Sequence, residues 1–184
     1  MQGKTLAEVA KLWNKDPIDA VFDFLIEDKA FTEIAAFGMS EPDVLLVLQQ
    51  PWVSVDNDSS GTSPEGLLGH EHPHPRAYGT FPRVLRKYVR EEKKLGLEEA
   101  IRKFSALPAQ RMRLTDRGVL KSGMWADVVV FDPNTIHDLA TFDKPNQLSE
   151  GMEYVLVNGV AVIDGGKMTG ALPGKVLRGA GYGP

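Results

Sequence analysis

The dipeptide Asn158-Gly159 constrains this chain more than any other feature, because it lies between two short β-prone runs, residues 153–157 and 160–163. A two-residue hairpin loop of type I′ needs a positive φ at both central positions, and Asn before Gly adopts that pair at little steric cost. An antiparallel hairpin is therefore predicted here, with Asp164-Gly165-Gly166 as the next turn. Upstream, Val128-Val129-Val130-Phe131 is a β-branched run closed by Asp132-Pro133, which predicts a further strand. From Arg117 onward the chain reads as strands and turns.

The segment before it reads as mostly helical. Thr5-Leu6-Ala7-Glu8 is a capping box, in which hydroxyl and carboxylate satisfy free backbone donors at a helix start. Leu6, Val9, Ala10 and Trp13 come next at helical spacing. Asp16-Pro17 starts a second helix, where Ile18, Val21, Phe22, Leu25 and Ile26 form an apolar stripe expected to pack inward. Residues 30–39 are open to a helical or an extended reading. Ser40-Glu41-Pro42-Asp43 begins another helix, expected to run to Gln50, where Pro51 stops it. Trp52-Val53-Ser54-Val55 then reads as a strand. Beyond it a helix is expected from about Arg83 to Lys94, with Val84, Leu85, Tyr88 and Val89 inward, and a second over 97–104, with Pro108 ending or interrupting any continuation. The Arg83 to Lys94 cations, interleaved with Glu91 and Glu92, read as a solvated face.

Chemistry concentrates in residues 51–82, PWVSVDNDSSGTSPEGLLGHEHPHPRAYGTFP. The stretch holds Asp56, Asp58, Glu65 and three of the protein's 4 histidines, His70, His72 and His74. Carboxylates and imidazoles bind divalent metals and move protons near neutral pH. Two readings stand. In one, Asp58 is a working carboxylate at a strand end. In the other, Asp56 and Asp58 are Asx-turn residues and the histidines merely occupy a Pro-rich loop. Arg76 likewise either grips a substrate carboxylate bidentately or clamps Asp56 or Glu65.

Composition removes several function classes. A net charge of -4 without a Lys/Arg-rich run argues against a nucleic-acid surface. With no cysteine, neither a disulfide framework nor a thiolate zinc site can form, which accords with a cytoplasmic location. No apolar run approaches the roughly 18 residues of a membrane span, and MQGKTLAEVAK lacks the apolar centre of a signal peptide. Ser59 and Ser60 sit in no nucleophile-elbow pattern.

Three ordered blocks, HPHPRAYGTFPRVLRKYVREEK, LEEAIRKFSALPAQRMRLTDRGVLKSGMWADVVVFDP and EYVLVNGVAVIDGGKMTGALPGKVLRG, resemble the C-terminal part of the D-aminoacylases (N-acyl-D-amino-acid deacylases) of the amidohydrolase superfamily. The resemblance implies an α/β fold: the C-terminal part of a metal-dependent-hydrolase TIM-like barrel over 1–116, then strands of a small β-sandwich domain over 117–184. It implies hydrolysis of a linear amide in a small-molecule N-acyl-D-amino acid, with zinc as cofactor and most of its ligands outside this chain. Asp58 matches the family's Asp after the last barrel strand and is the implied catalytic carboxylate. Arg76 and Tyr78 are candidate substrate-binding residues, and Asp58, His72 and His74 candidate metal ligands.

The sequence departs from the family pattern in having Asp56-Asn57-Asp58-Ser59 where Gly-Ser-Asp-Gly is usual. The extra carboxylate either raises the pKa of Asp58 by repulsion or points to the opposite face. At 184 residues the chain is short for a complete barrel, which takes about 250. The rival expectation is thus a non-catalytic piece or subunit that self-associates or needs a longer partner chain. An independent metal site of His70, His72, His74 and Glu65 is disfavoured by the interruptions at Pro73 and Pro75.

Overall fold

The computed structural model describes residues 3–31, 34, 36–179 and 181–182. The chain divides into two compact units, Met1–Gly38 and Met39–Pro184.

In the first unit, α1 (Leu6–Trp13) opens with the expected reciprocal cap. The Thr5 amide donates to Glu8 Oε2 at 2.7 Å, and the Glu8 amide to Thr5 Oγ1 at 3.3 Å. Asn14 ends the helix in the left-handed region, φ 53°. The second helix, α2 (Pro17–Glu27), starts at Asp16, whose Oδ1 accepts the Ile18 amide at 2.8 Å. The pair packs through small residues: Val9, Ala10 and Ala20 are buried, and Trp13 lies against Phe24 with ring centroids 5.8 Å apart. The apolar stripe of α2 is not inward. Ile18, Phe22 and Ile26 are 67%, 60% and 76% exposed. Periodicity identifies an apolar face, but burial needs an opposing surface, and among the described residues α1 covers only the Ala20 side. The expectation for 30–39 falls partly outside the described residues; of the rest, Phe31, Ile34 and Phe37 lie in no helix or strand and are exposed.

The second unit begins with α3 (Glu41–Leu48), where Ser40 Oγ accepts the Asp43 amide at 3.4 Å and Pro42 lies in the first turn. It ends at Gln49, just short of the expected Gln50. Residues 52–55 do not form a strand. A strand is defined by a partner ladder, and here, among the described residues, the Val53 amide turns back to the Gln50 carbonyl at 3.1 Å and the Val55 amide reaches the Lys103 carbonyl at 3.3 Å, without a ladder. After a short 3₁₀ turn, Leu67–His70, comes α4 (Arg76–Arg83), which winds on as a wider π segment, Val84–Glu91. This helix starts earlier than expected because Pro82 is tolerated inside it. Pro82 has no N–H for the Tyr78 carbonyl one turn back, and the Ser149 hydroxyl donates there instead at 2.9 Å. Next are α5 (Leu97–Ile101), a π segment (Arg102–Ala106) and α6 (Leu107–Arg111), continuous in backbone conformation. Pro108 falls in the first turn of α6, so the helix passes it instead of ending.

The four strands β1 (Val128–Phe131), β2 (Met152–Val157), β3 (Val160–Asp164) and β4 (Lys167–Met168) make an antiparallel meander in that order. Val157 pairs with Val160 across the predicted two-residue turn, with φ 50° at Asn158 and 82° at Gly159. Asn158 is held from outside by Asp127 Oδ1, which accepts its amide at 2.8 Å, and by the Pro173 carbonyl, which accepts from its side chain at 2.8 Å.

Two apolar clusters form the core of this unit. Leu48, Val84 and Tyr88 pack with Val44, Leu45 and Val55; Leu85, Ala100 and Ile136 pack with Val89, Phe131 and Met152; Leu95 and Phe104 join both. Complete burial of Ile136 is worth about 1.5–3 kcal/mol. The cations of 83–94 are not a free solvated face. Arg86 Nε donates to Asp138 Oδ1 at 2.8 Å, Arg90 donates to the Pro133 and Ile136 carbonyls at 3.0 and 2.8 Å, and Lys87 pairs with Glu41 at 2.5 Å. Glu41 also accepts from the Tyr88 hydroxyl, and burial together with that carboxylate pushes the Tyr88 phenol far above its ordinary range.

Burial would push Asp138 upward, but the Arg86 hydrogen bond and the charges of Arg86 and Arg83 outweigh it and hold the carboxyl below the usual range. A depressed folded pKa means stability that is present above the unfolded value, about 3.9 for Asp, and lost as pH falls through the folded value. Asp138→Asn should lower stability by about 1–3 kcal/mol at pH 6, and denaturant titrations of wild type and variant should converge as pH drops below about 4. Gly151 is a second checkpoint. At φ 90° its Cβ would lie 2.5 Å from Ile136 Cα. Gly151→Ala should cost more than about 2 kcal/mol, whereas Gly123→Ala, at φ 87° with open space around it, should cost about 1 kcal/mol by the same titration.

Candidate active site

The site candidates lie on the connection from α3 to α4. After α3 the chain turns through Gln49 to Trp52 and runs on to Asp58, whose φ of 43° places it in the left-handed region that Asp tolerates better than most residues. Its carboxylate is 84% exposed and meets Arg76 Nη2 at 2.8 Å. Arg76 is thus on Asp58, not on Asp56 or Glu65. An exposed pair of this kind contributes about 0.2–1 kcal/mol, so it restrains the two groups without locking them. Asp56 spends Oδ1 on the Asn57 amide at 2.8 Å, an Asx-type local contact, and Glu65 lies in a turn where its amide donates to Ser63 Oγ at 3.2 Å.

The histidines are tied elsewhere. His72 Nε2 lies 2.7 Å from the Phe142 carbonyl. A carbonyl only accepts, so Nε2 carries the proton and Nδ1 is left as the acceptor. The Arg76 amide donates to His74 Nδ1 at 3.0 Å, which places the neutral ring's proton on Nε2. Burial, with the Arg76 charge beside it, pushes the His74 imidazole below its ordinary range and favours that neutral form. Its ring meets Phe142 edge-on at 5.1 Å. His70 sits at the end of the 3₁₀ turn, exposed. The Tyr78 hydroxyl is buried, with no hydrogen-bond partner among the described residues.

What backs this loop is the segment after Asp138, to which sequence patterns assign no role. Phe142 meets both histidines, Asn146 Nδ2 donates to the Gly69 and Glu71 carbonyls at 3.0 and 2.8 Å, and Ser149 reaches Tyr78. His137 pairs by backbone with Glu150, and its Nδ1 lies 2.8 Å from the Thr135 carbonyl. The structure therefore joins Asp58 to Arg76, and Arg76 to His74, while His72 is fastened to the Phe142 carbonyl.

A catalytic zinc takes three protein ligands and keeps a fourth position open. Among the described residues no three His, Asp or Glu side chains converge in that way. These residues do not by themselves fit a zinc ion. Among the described residues no helix is long and apolar enough to cross a membrane.

The model of the amidohydrolase family matches residues 1–163. Among curated proteins, an N-acyl-D-glutamate deacylase of Alcaligenes xylosoxydans xylosoxydans is 42% identical over 176 residues, 96% of this chain and 33% of that protein. Among solved structures, a D-aminoacylase studied for its binuclear metal centre superposes with a TM-score of 0.75 at 37% identity, over 92% of this chain and 33% of that one. The N-acyl-D-glutamate deacylase of Bordetella bronchiseptica, complexed with zinc and a phosphonate mimic of the tetrahedral intermediate, gives 0.71 at 40% identity, over 89% and 33%. The chain spans about a third of the length of the relatives it matches. Helices, meander and the ordered motifs agree with that match, and the chain belongs to the amidohydrolase family.

Proposed function

We propose that this chain supplies the Asp58 region of a zinc-dependent N-acyl-D-amino-acid deacylase, which hydrolyses the amide C–N bond to a carboxylate and a free D-amino acid. The observation that carries the reading is Asp58 itself: an exposed carboxylate on a left-handed backbone, held by one arginine, in a chain similar over nearly its whole length to deacylases. Residues 1–116 would be the C-terminal part of the barrel and 117–184 the small β-sandwich domain, a division supported by the confinement of the four described strands to the latter. The protein would work in the cytoplasm, in line with its lack of cysteine.

In this reading a zinc ion, held mainly by ligands outside these residues, would supply polarisation of the scissile carbonyl and acidification of water. The chain's own residues handle the proton and the substrate. Asp58 takes a proton from the attacking water and returns it to the leaving nitrogen, so that the C–O bond forms, the C–N bond breaks and the carboxylate is regenerated. Arg76 offers its planar fork to the substrate's carboxylate, exchanging it for Asp58. The Tyr78 hydroxyl, buried and unpartnered among the described residues, would be a donor to substrate once a shift of the loop over it opens the way. Neutral His74 keeps a second positive charge away from Arg76. His72 keeps Nδ1 as a potential metal ligand, whereas His74 could ligate only by giving up the bond its Nδ1 accepts from the Arg76 amide; the other ligands would come from outside these residues.

A second reading is favoured by the exposure of Leu46 and Val47 on α3 and of Trp52 beyond it, 63%, 53% and 60%. Such a face on a helix apolar all round is normally covered. The chain would then be a non-catalytic piece or subunit, completed by self-association or a longer partner.

Two measurements separate these readings. With N-acetyl-D-glutamate as substrate, Asp58→Asn should lower kcat by about a hundredfold or more; an unchanged rate would remove Asp58 from the chemistry, and a chain that hydrolyses nothing until a longer family member is added would favour the second reading. Elemental mass spectrometry of untagged protein should find near one zinc per chain, lost in His72→Ala, if these residues complete a site. Absence of zinc would place the ligands on a completing chain.

A further inference from the structure

Lys103 is fully buried, and among the described residues the one acid within pairing distance is Glu99, 3.6 Å from its ammonium. Its Nζ donates to the Gln50 carbonyl and, at 2.9 Å, to that of Val53. The two carbonyls between these are taken by cations of the same helical run: Arg102 Nη2 donates to Pro51 at 2.5 Å and Arg111 Nη2 to Trp52. Four successive carbonyls just beyond the C-terminus of α3 thus each accept from a cationic side chain. The Lys103 backbone carbonyl also receives the Val55 amide. The row lies just past the C-terminal end of α3, which carries partial negative charge, so cations there are favourable; the Gln50 carbonyl also accepts the Val53 amide at 3.1 Å.

Burying an ammonium costs several kcal/mol unless it is paired and hydrogen-bonded, which makes an apolar residue the cheaper filling for this place in the core. What the ammonium adds is direction, because it requires two carbonyls to face it. We propose that Lys103 is a positioning residue, which, with Arg102 and Arg111, fixes the path of residues 50–55 and so the point from which Asp58 is presented. The inference rests on the catalytic reading of Asp58 for its relevance, but not for its test.

The chain has no cysteine, so Lys103→Cys creates a unique thiol. Alkylated in denaturant and refolded, it yields two chains of equal length and shape: 2-bromoethylamine restores an ammonium, and 1-bromopropane leaves a methyl group in its place. Amide hydrogen exchange over 53–58 should be about tenfold faster in the propyl form, return to within about twofold of wild type in the aminoethyl form, and stay unchanged over 76–91 in both, the tenfold being the loss of one charge-assisted hydrogen bond. Equal exchange in the two forms, or acceleration spread evenly along the chain, overturns the proposal. Should the propyl form not refold, Arg102→Gln and Arg111→Gln test the same row from its exposed members: about threefold faster exchange confined to 53–58 supports it, and no change in either overturns it. Because exchange uses no substrate, its failure is distinct from that of the Asp58 reading. If deacylation is measurable, the propyl form should lose kcat at constant KM and the aminoethyl form regain it.

Discussion

The second unit depends on one kind of interaction: charge-assisted hydrogen bonds from two consecutive helical runs to backbone carbonyls and carboxylates of the segments around them. From 76–91, Arg86 and Arg90 reach Asp138, Pro133 and Ile136 on the sheet side, while Lys87 reaches Glu41 at the start of α3. From 97–111, Arg102, Lys103 and Arg111 hold the far end of α3. The apolar clusters supply most of the burial, but they are built of few fully buried residues. The ionic contacts decide which way the connecting segments lie over them, since such bonds are shorter, stronger and more directional than neutral ones.

That arrangement gives the site two supports of different character. The approach to Asp58 is fixed from the helix side through carbonyls 50–53. The histidine loop is backed from the other side by Phe142, Asn146 and Ser149. Ser149 serves two purposes at once, supplying the donor that Pro82 withholds from Tyr78 and tying the loop after Asp138 to the helix that presents Arg76. Functional groups on loops need this sort of backing to keep a geometry.

Much of this was legible in the sequence where the cause is local. The caps at Thr5, Asp16 and Ser40 involve neighbours three residues away or fewer, and the Asn158-Gly159 turn needs only its own backbone preferences. What eluded sequence reasoning is non-local. Trp52 to Val55 has strand-like composition, but its backbone is met by the Lys103 and Arg111 side chains and the Lys103 carbonyl, on a helical run some fifty residues away, instead of by a strand. The α2 stripe has the right period and no cover among the described residues. Pro82 and Pro108 looked like boundaries because the hydroxyl that rescues Pro82, and the position of Pro108 within a helical turn, become visible only in three dimensions. Of the site, Asp58, Arg76 and the histidines stood out as residue types. Their pairing did not, and Lys103, Asn146 and Ser149 carried no motif.

The contrast between Lys103, with no exposed surface, and the Arg76–Asp58 pair, open to water on both sides, has a consequence for behaviour in salt. At physiological ionic strength the Debye length is about 8 Å and shrinks to about 3 Å at 1 M, so exposed charges lose their hold on each other while buried ones are scarcely screened. Raising ionic strength therefore weakens the Asp58–Arg76 pair while leaving the Lys103 anchor of the segment that carries Asp58 scarcely screened. The carboxylate and the guanidinium become more independent, each freer to engage another ion, on a backbone whose innermost tie persists.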